Sequence, residues 1–519
     1  MIIKPYLNLM CKEGKYSHKS ISLLIIWVCI LLLTACEAGG EEHVAEPKGG
    51  VLTYAALNPV TAATQKTVEQ FNDTHTDVQI EIRDYSDEGG LDRLRTELVL
   101  GQIPDIMEMH YLGKSPSRTG KNNEPEKGRG GNYTSWKTTG NSTLERPADE
   151  YWMPYRQMVQ KGYLENLWPY IENDPELGRE GVLRAPLEAA EVDSGLYLLF
   201  MDVRVITLMG PESVIGDRYG WTLKELLEVF ADMREGSTIL RYNAVKRDVF
   251  FDLLCFSLNK YVDIDTGTCS FNSREFRDLL AFLECFPNEA DFGNPDQVAM
   301  EVMERVRTRR QMLEVTQIAW PEDLVCRDAF WGERTAFVGY PTEAGDSGSF
   351  FYPMGDVLAM SSTCQNKDAA WEYIRELIKP RRTNAVGEDA VVPFVSIPIN
   401  RHDYDLFMYG QLVDRPKTFQ YVSDQSRGQV DPVEYMSIFI KWKPFAYGPE
   451  IYPMALLTEE DGERFQALID NTTQLYWPDD ALSDIVWEAL GPYFAGDKQL
   501  DDTLQLLDNR VSLYLNEQK

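Results

Sequence analysis

The chain has 519 residues, a formal net charge of −31, 44% hydrophobic residues and 11% aromatic residues. That length suffices for two substantial hydrophobic cores, and the composition is that of a globular protein. A surface so negative repels nucleic acid and anionic lipid, which excludes a nucleic-acid partner; the charge itself is read as solubility rather than as a clue to a ligand.

The N-terminus places Lys4, Lys12, Lys15 and Lys19 before the apolar block "ISLLIIWVCILLL" (residues 21–33), followed by small residues and Cys36. Crossing a bilayer as a helix takes roughly 20 residues, so this shorter block reads as an export signal over residues 1–35. Leu33-Thr34-Ala35-Cys36 resembles the bacterial lipoprotein signal, which implies that Cys36 is lipidated and begins the mature chain. The alternative is an ordinary cysteine near a cleavage site. Residues 36–50, "CEAGGEEHVAEPKGG", read as a flexible tether. Because residues 1–35 hold four lysines against Glu13, the remainder carries −34.

Beyond the tether, "GGVLTYAALN" predicts a strand entering a loop, and Val60, Thr64, Val68 and Phe71 recur at helical spacing. Val78, Ile80 and Ile82 alternate as a strand does, Leu91, Leu94 and Leu98 line one helix face, and Gly101 stands where a left-handed cap needs no side chain. "PDIMEMH" follows as a short buried strand, with Asp105 expected to cap neighbouring backbone. Strands alternating with helices predict a mostly parallel sheet covered on both faces. Residues 113–147 then lose all periodicity, with seven basic and three acidic residues, and read as a mobile surface insertion.

Periodicity resumes with "YRQMVQKGYLENLWPYIENDPEL", and "SGLYLLFMDVRVITLMG" is an extended apolar segment. Thr222 and Glu225 form a capping box that opens a helix, and Asn272 with Glu275 repeats the device. The strand "DVLAM" precedes the helix "NKDAAWEYIRELI", and the tail from Glu459 to Lys519 is helical, with Leu504, Leu507, Val511 and Leu515 on one face. Cys255, Cys269, Cys285, Cys326 and Cys364 show neither a CxxC nor a metal-like spacing, so no disulfide framework is expected.

Nine phrases in order resemble the bacterial extracellular solute-binding proteins of the maltose and multiple-sugar type, the capture subunits of ABC importers. They are "VEQFNDTHTDVQIEIRDYS", "LDRLRTELVLGQIPDIMEMH", "KGYLENLWPYIENDPEL", "GLYLLF", "GWTLKELLEVF", "TAFVGYP", "DAAWEYIRELI", "VSIPIN" and "YFAGDKQLDDTLQLLDNRVSLYLNEQ". The resemblance implies an α/β fold of two lobes, each a mostly parallel sheet flanked by helices. Three hinge crossings are expected near Phe200, between Pro341 and Met354, and near Asn400. Lobe 1 would comprise residues 51–203 and 352–398, and lobe 2 residues 204–340 and 400–519. It further implies a monomer that closes over a carbohydrate, hands it unchanged to ABC permease subunits, and touches the membrane through its N-terminal lipid alone. The family often has a proline where this chain has Phe200, and the basic insertion has no usual counterpart.

A sugar presents apolar C–H faces and a belt of hydroxyls, so its pocket needs aromatic rings beside carboxylates, amides or arginines. Ligands of open α/β sheets sit beyond the carboxyl ends of strands. That rule selects Asn58, Tyr85, Asp87, His110 and Tyr111 in the first lobe, and Asp202, Arg204, Trp320, Trp331, Tyr340 and Glu343 in the second lobe and hinge. No catalytic residue, cofactor or metal is expected: no HExxH occurs, "GDSGS" is not GxSxG, and the glycines of "GKSPSRTGK" lie too far apart for a phosphate loop. Capture of a peptide, polyamine or other small solute stays open, as do a secreted glycosidase and a scaffold lipoprotein without a ligand.

Overall fold

The computed structural model describes residues 50–87, 89–112, 150–253, 258–263, 266–289, 295–381, 396–412 and 457–517. The expected signal, Cys36 and the tether before Gly50, and the insertion 113–147, lie outside the described residues. No described helix is long and apolar enough to cross a membrane.

The chain opens with β1 (Gly50–Ala56), α1 (Ala62–Thr74), β2 (Val78–Asp84), α2 (Gly90–Val99) and β3 (Ile106–Glu108). Val68 and Phe71 of α1 and Leu94 and Leu98 of α2 are buried, as their spacing predicts. Thr61 accepts from the Thr64 backbone N–H at 3.1 Å to start α1, and Gly101, with φ +75°, follows the end of α2. The Asp105 carboxylate accepts from the Thr53 backbone N–H at 2.8 Å and its hydroxyl at 2.9 Å, tying β1 to the entrance of β3. β4 (His110–Leu112) and β5 (Glu150–Trp152) then pair antiparallel, His110 opposite Trp152.

α3 (Tyr155–Gln160), α4 (Trp168–Asn173) and α5 (Arg184–Glu188) lead into β6 (Leu199–Pro211), the longest strand described. There follow α6 (Glu212–Ile215), α7 (Leu223–Ala231), α8 (Lys246–Leu253), β7 (Val262–Asp263), β8 (Thr268–Cys269), α9 (Arg274–Leu283) and α10 (Pro295–Arg307). Next come β9 (Glu314–Ile318), α11 (Pro321–Trp331), β10 (Thr335–Phe337), β11 (Phe350–Met360) and α12 (Lys367–Ile374). The chain continues with β12 (Ile397–Pro398), α13 (Arg401–Leu412), α14 (Glu459–Asn471), β13 (Gln474–Leu475), α15 (Asp480–Phe494) and α16 (Leu500–Glu517).

A nine-stranded sheet runs β10-β6-β11-β3-β1-β2, with β9 and β12 also on β6 and β13 on β11. The α/β class holds, and β1 pairs parallel with both β2 and β3 as the strand–helix alternation predicts. Elsewhere the pairing is largely antiparallel: β11 against β3 and β6, and β9, β10 and β12 against β6. The departure follows from β6 and β11 lying side by side in opposite directions, so their neighbours cannot all share one polarity.

One core gathers β1–β3, α1, α2 and α12 and continues along one face of β6 to Phe330, Tyr404, Phe407 and Phe465. A second core joins α7, α8, α9, α15 and α16 through Trp221, Phe250, Phe276, Leu507 and Val511. Leu504, Leu507, Val511 and Leu515 are all buried there, which accounts for the expected stripe. The Thr222–Glu225 box is present, with the Glu225 carboxylate accepting from the Thr222 N–H at 2.7 Å and held below its usual range by that bond. The second expected box is displaced by one residue. Ser273, in extended backbone, caps α9 by accepting from the Phe276 N–H at 3.2 Å, while Asn272 accepts from Arg277.

Phe276 packs edge-on against Tyr261 and Phe271, both at 5.0 Å, with no exposed surface. Phe276→Ala should lower stability by about 3–5 kcal/mol in urea denaturation; a loss below about 1 kcal/mol would contradict this packing.

Candidate functional site

β6 presents two unlike faces. Val203 and Val205 lie fully buried in the first core beside Phe351 of β11. On the opposite face Phe200 belongs to the first core and Ile206 to the second, and between them stand Asp202 and Arg204. β11 pairs Phe350 with Ile206, Tyr352 with Arg204 and Met354 with Asp202. Residues opposed across antiparallel strands share a face, so two rows that belong to neither core's interior separate the cores on this side. Arg204, Tyr352, Met354 and Gln317 of β9 are half-buried there. Beyond Met354 the register shifts before Val357, and Gly355, with φ +75°, takes the backbone conformation that such a bulge requires.

The strip is braced from its sides. Arg204 Nη1 donates to Gln317 Oε1 at 3.4 Å. The Tyr476 N–H donates to the Phe351 carbonyl at 2.7 Å, which sets its ring 5.1 Å from that of Tyr352. Next to it, Trp477 Nε1 donates to the Met153 carbonyl at 2.9 Å and its ring stands 5.7 Å from Tyr155. The result is a row of two phenol rings, a guanidinium and an amide between two apolar cores.

At the edge of the strip three segments lie side by side. β12 pairs Ile397 with Val203 and Pro398 with Asp202, opposite the side of β6 that holds β11. The crossings were expected near Phe200, between Pro341 and Met354, and near Asn400. Asp202 is buried; it accepts from Arg381 Nη2, and Ser396 Oγ lies at 3.5 Å. The Arg381 backbone N–H donates to Asp403 of α13 at 3.1 Å, and its Nε is 3.8 Å from the same carboxylate. Burial pushes the Asp202 carboxyl up to about 6 against the pull of Arg381, and burial raises Asp403 as well.

The first-lobe candidates collect at the carboxyl ends of β1–β3. Asn58 Nδ2 donates to the His110 carbonyl at 2.8 Å and to Glu108 at 3.1 Å. Glu108, an acid inside the apolar run "IMEMH" that the sequence reading passed over, also accepts from Tyr54 Oη at 2.8 Å and from the N–H groups of Leu57 and Asn58. Burial raises its carboxyl despite those donors. His110 is itself buried. Tyr85 is buried and donates to Glu97 at 2.5 Å, Arg93 lies over its ring at 5.7 Å, and Arg93 pairs with exposed Asp87 at 3.0 Å. Tyr111 is described only as the partner of Tyr151 in the β4–β5 pair.

The remaining expectations separate. Trp320 is half-buried at the start of α11, with its N–H donating to Asp323 at 3.0 Å. Trp331 is 2% exposed and edge-on to Phe330 at 5.2 Å, so it is a core residue rather than an open stacking surface. Tyr340 is likewise buried, 5.6 Å from Phe350, and Glu343 is exposed. Tyr352, Met354, Gln317 and Tyr476 are the strip residues that the sequence reading missed. Their signal was faint: alternation in "FFYPM" and an aromatic pair in "QLYWPDD".

Asp202 gives a pH test. Its folded value, about 6, exceeds the ordinary 3.8, so the stability it contributes is fully present below about 3.8 and is lost as pH rises through about 6. Asp202→Asn removes that loss. Measured by urea denaturation, the variant should gain about 2–3 kcal/mol relative to the parent protein between about pH 4 and about pH 7; parallel pH profiles would contradict the assignment.

No protein-family model and no curated protein matches the chain. Among solved structures it is similar to an extracellular solute-binding protein of family 1 from Alicyclobacillus acidocaldarius, at 12% identity and TM-score 0.42, over 90% of this chain and 98% of that one. It is similar to a periplasmic oligogalacturonide binding protein from Yersinia enterocolitica, at 12% identity and TM-score 0.43, over 90% and 99%. An ABC substrate-binding protein from Listeria monocytogenes, solved with cycloalternan, stands at 11% identity and TM-score 0.38, over 90% and 99%.

Proposed function

We propose that the chain is the substrate-binding subunit of an ABC importer, held outside the cell by a lipid on Cys36, and that it captures a sugar or oligosaccharide. One observation carries this reading: the row of Arg204, Gln317, Tyr352 and Tyr476 between two apolar cores, beside the junction of β6, β11 and β12. Phenol rings offer stacking surface for the C–H faces of a pyranose, while guanidinium and amide groups bond its hydroxyls. The guanidinium of Arg204 disfavours a polyamine cargo by like-charge repulsion. No bond is broken in this scheme.

In this reading residues 51–203 with 352–398, and 204–340 with 400–519, are the two lobes, and the three side-by-side segments are the hinge. A ligand touching both lobes shifts the population toward a closed form, and the permease takes the ligand from that form. A monomer suffices for the cycle.

A thermal-shift screen of the chain from residue 37, against saccharides and short peptides, tests the proposal. A saccharide at about 100 times its Kd should add about 2.7 kcal/mol to stability, and Arg204→Ala or Tyr352→Ala should weaken that saccharide about tenfold or more. A shift by peptides alone would assign a different cargo, and hydrolysis of a glycoside in the same wells would make the protein an enzyme.

A further inference from the structure

Away from the strip, a surface hollow of about 360 Å³ opens between α4 and α12, within the size range of small-molecule sites. Half-buried Tyr170 lines it and packs against Trp371, a core residue 6% exposed that lies behind it, with centroids 5.8 Å apart and planes at 37°. Its base is firmly built. The Asp174 side chain is fully enclosed and accepts from Trp371 Nε1 at 3.1 Å, from Arg375 Nη1 at 2.7 Å and from the Glu176 N–H at 2.9 Å. Arg375 also reaches Glu176 at 2.5 Å, so the cation in the hollow is already matched by two carboxylates.

The rim is a different case. Asp368 and Glu372 stand one turn apart on α12, both exposed, and like charges at that spacing repel each other. Glu372 pairs with His75 Nε2 at 2.7 Å, whereas Asp368 has no salt-bridge partner among the described residues. A half-buried phenol ring backed by a buried indole and an enclosed carboxylate, and rimmed by two acids, forms a setting for a cation, which gains from the ring quadrupole and relieves the rim repulsion. A neutral sugar or an anion would leave that repulsion standing.

We propose that this hollow binds an organic cation, its ammonium head group against Tyr170 and its charge balanced by Asp368 and Glu372. The site is independent of the strip and of the cargo. The head group can belong to a free amine or to a lysine side chain of a partner protein.

Calorimetry on the chain from residue 37 tests this with choline, its uncharged isostere 3,3-dimethylbutanol, and a trilysine peptide. Saturable binding of choline or the peptide is expected, with the isostere at least about tenfold weaker. The tighter of the two cations identifies the source of the head group. The double variant Asp368→Asn with Glu372→Gln, both at exposed positions that leave the fold intact, should weaken binding about tenfold or more. Arg204→Ala should leave it unchanged. Equal binding of the isostere, indifference to the double variant, loss of binding in Arg204→Ala, or no saturable binding of either cation would each overturn the proposal.

Discussion

The hydrogen-bonded ladder between β6 and β11 is what the remaining structure depends on. Its rows run from Phe350 opposite Ile206 to Leu358 opposite Leu199, so the same two strands leave one core and enter the other. One face of the ladder is sealed in the first core by Val203, Val205 and Phe351. The other face changes from first-core to second-core packing within a few residues, and the rows in between hold half-buried polar and aromatic side chains. A strip of polar and aromatic side chains arises there because two cores end on one ladder without meeting.

Arginines bind distant segments together in this acidic chain. Arg381 joins Asp202 of β6 to Asp403 of α13, Arg464 of α14 joins Asp328 of α11 at 2.8 Å, and Arg375, just after α12, joins Asp174 beside α4. In each case a guanidinium donates to carboxylates from elements far apart in sequence, a geometry that suits its fixed fork of donors. Breaking such a buried pair by removing one partner leaves a charge uncompensated, so these contacts hold the joined segments in one arrangement. Arg381 acts where β6, β11 and β12 meet.

Local features were legible in the sequence. The alternation of Val78, Ile80 and Ile82, the helical spacing of Val68 and Phe71, and the stripe of Leu504, Leu507, Val511 and Leu515 all mark elements whose periodicity follows from one buried face. The Thr222 cap was legible for the same reason, since its partner Glu225 lies within one turn. Strand polarity was not, because the apolar run of β6 reads identically in a parallel or an antiparallel setting. The Asp202 carboxylate was expected to face a ligand, yet its partner Arg381 lies far along the chain and leaves no mark near residue 202. Arg204 was legible as a polar residue in an apolar strand, whereas Gln317, Tyr352 and Tyr476 become its neighbours through register alone.

The most direct test of the account is amide hydrogen exchange with and without the saccharide that raises the melting temperature. Protection should appear together in peptides covering Asp202–Ile206, Val315–Ile318, Phe350–Met354 and Gln474–Trp477, the segments that build the strip. Protection confined to other surfaces, with those four segments unchanged at saturating saccharide, would contradict it.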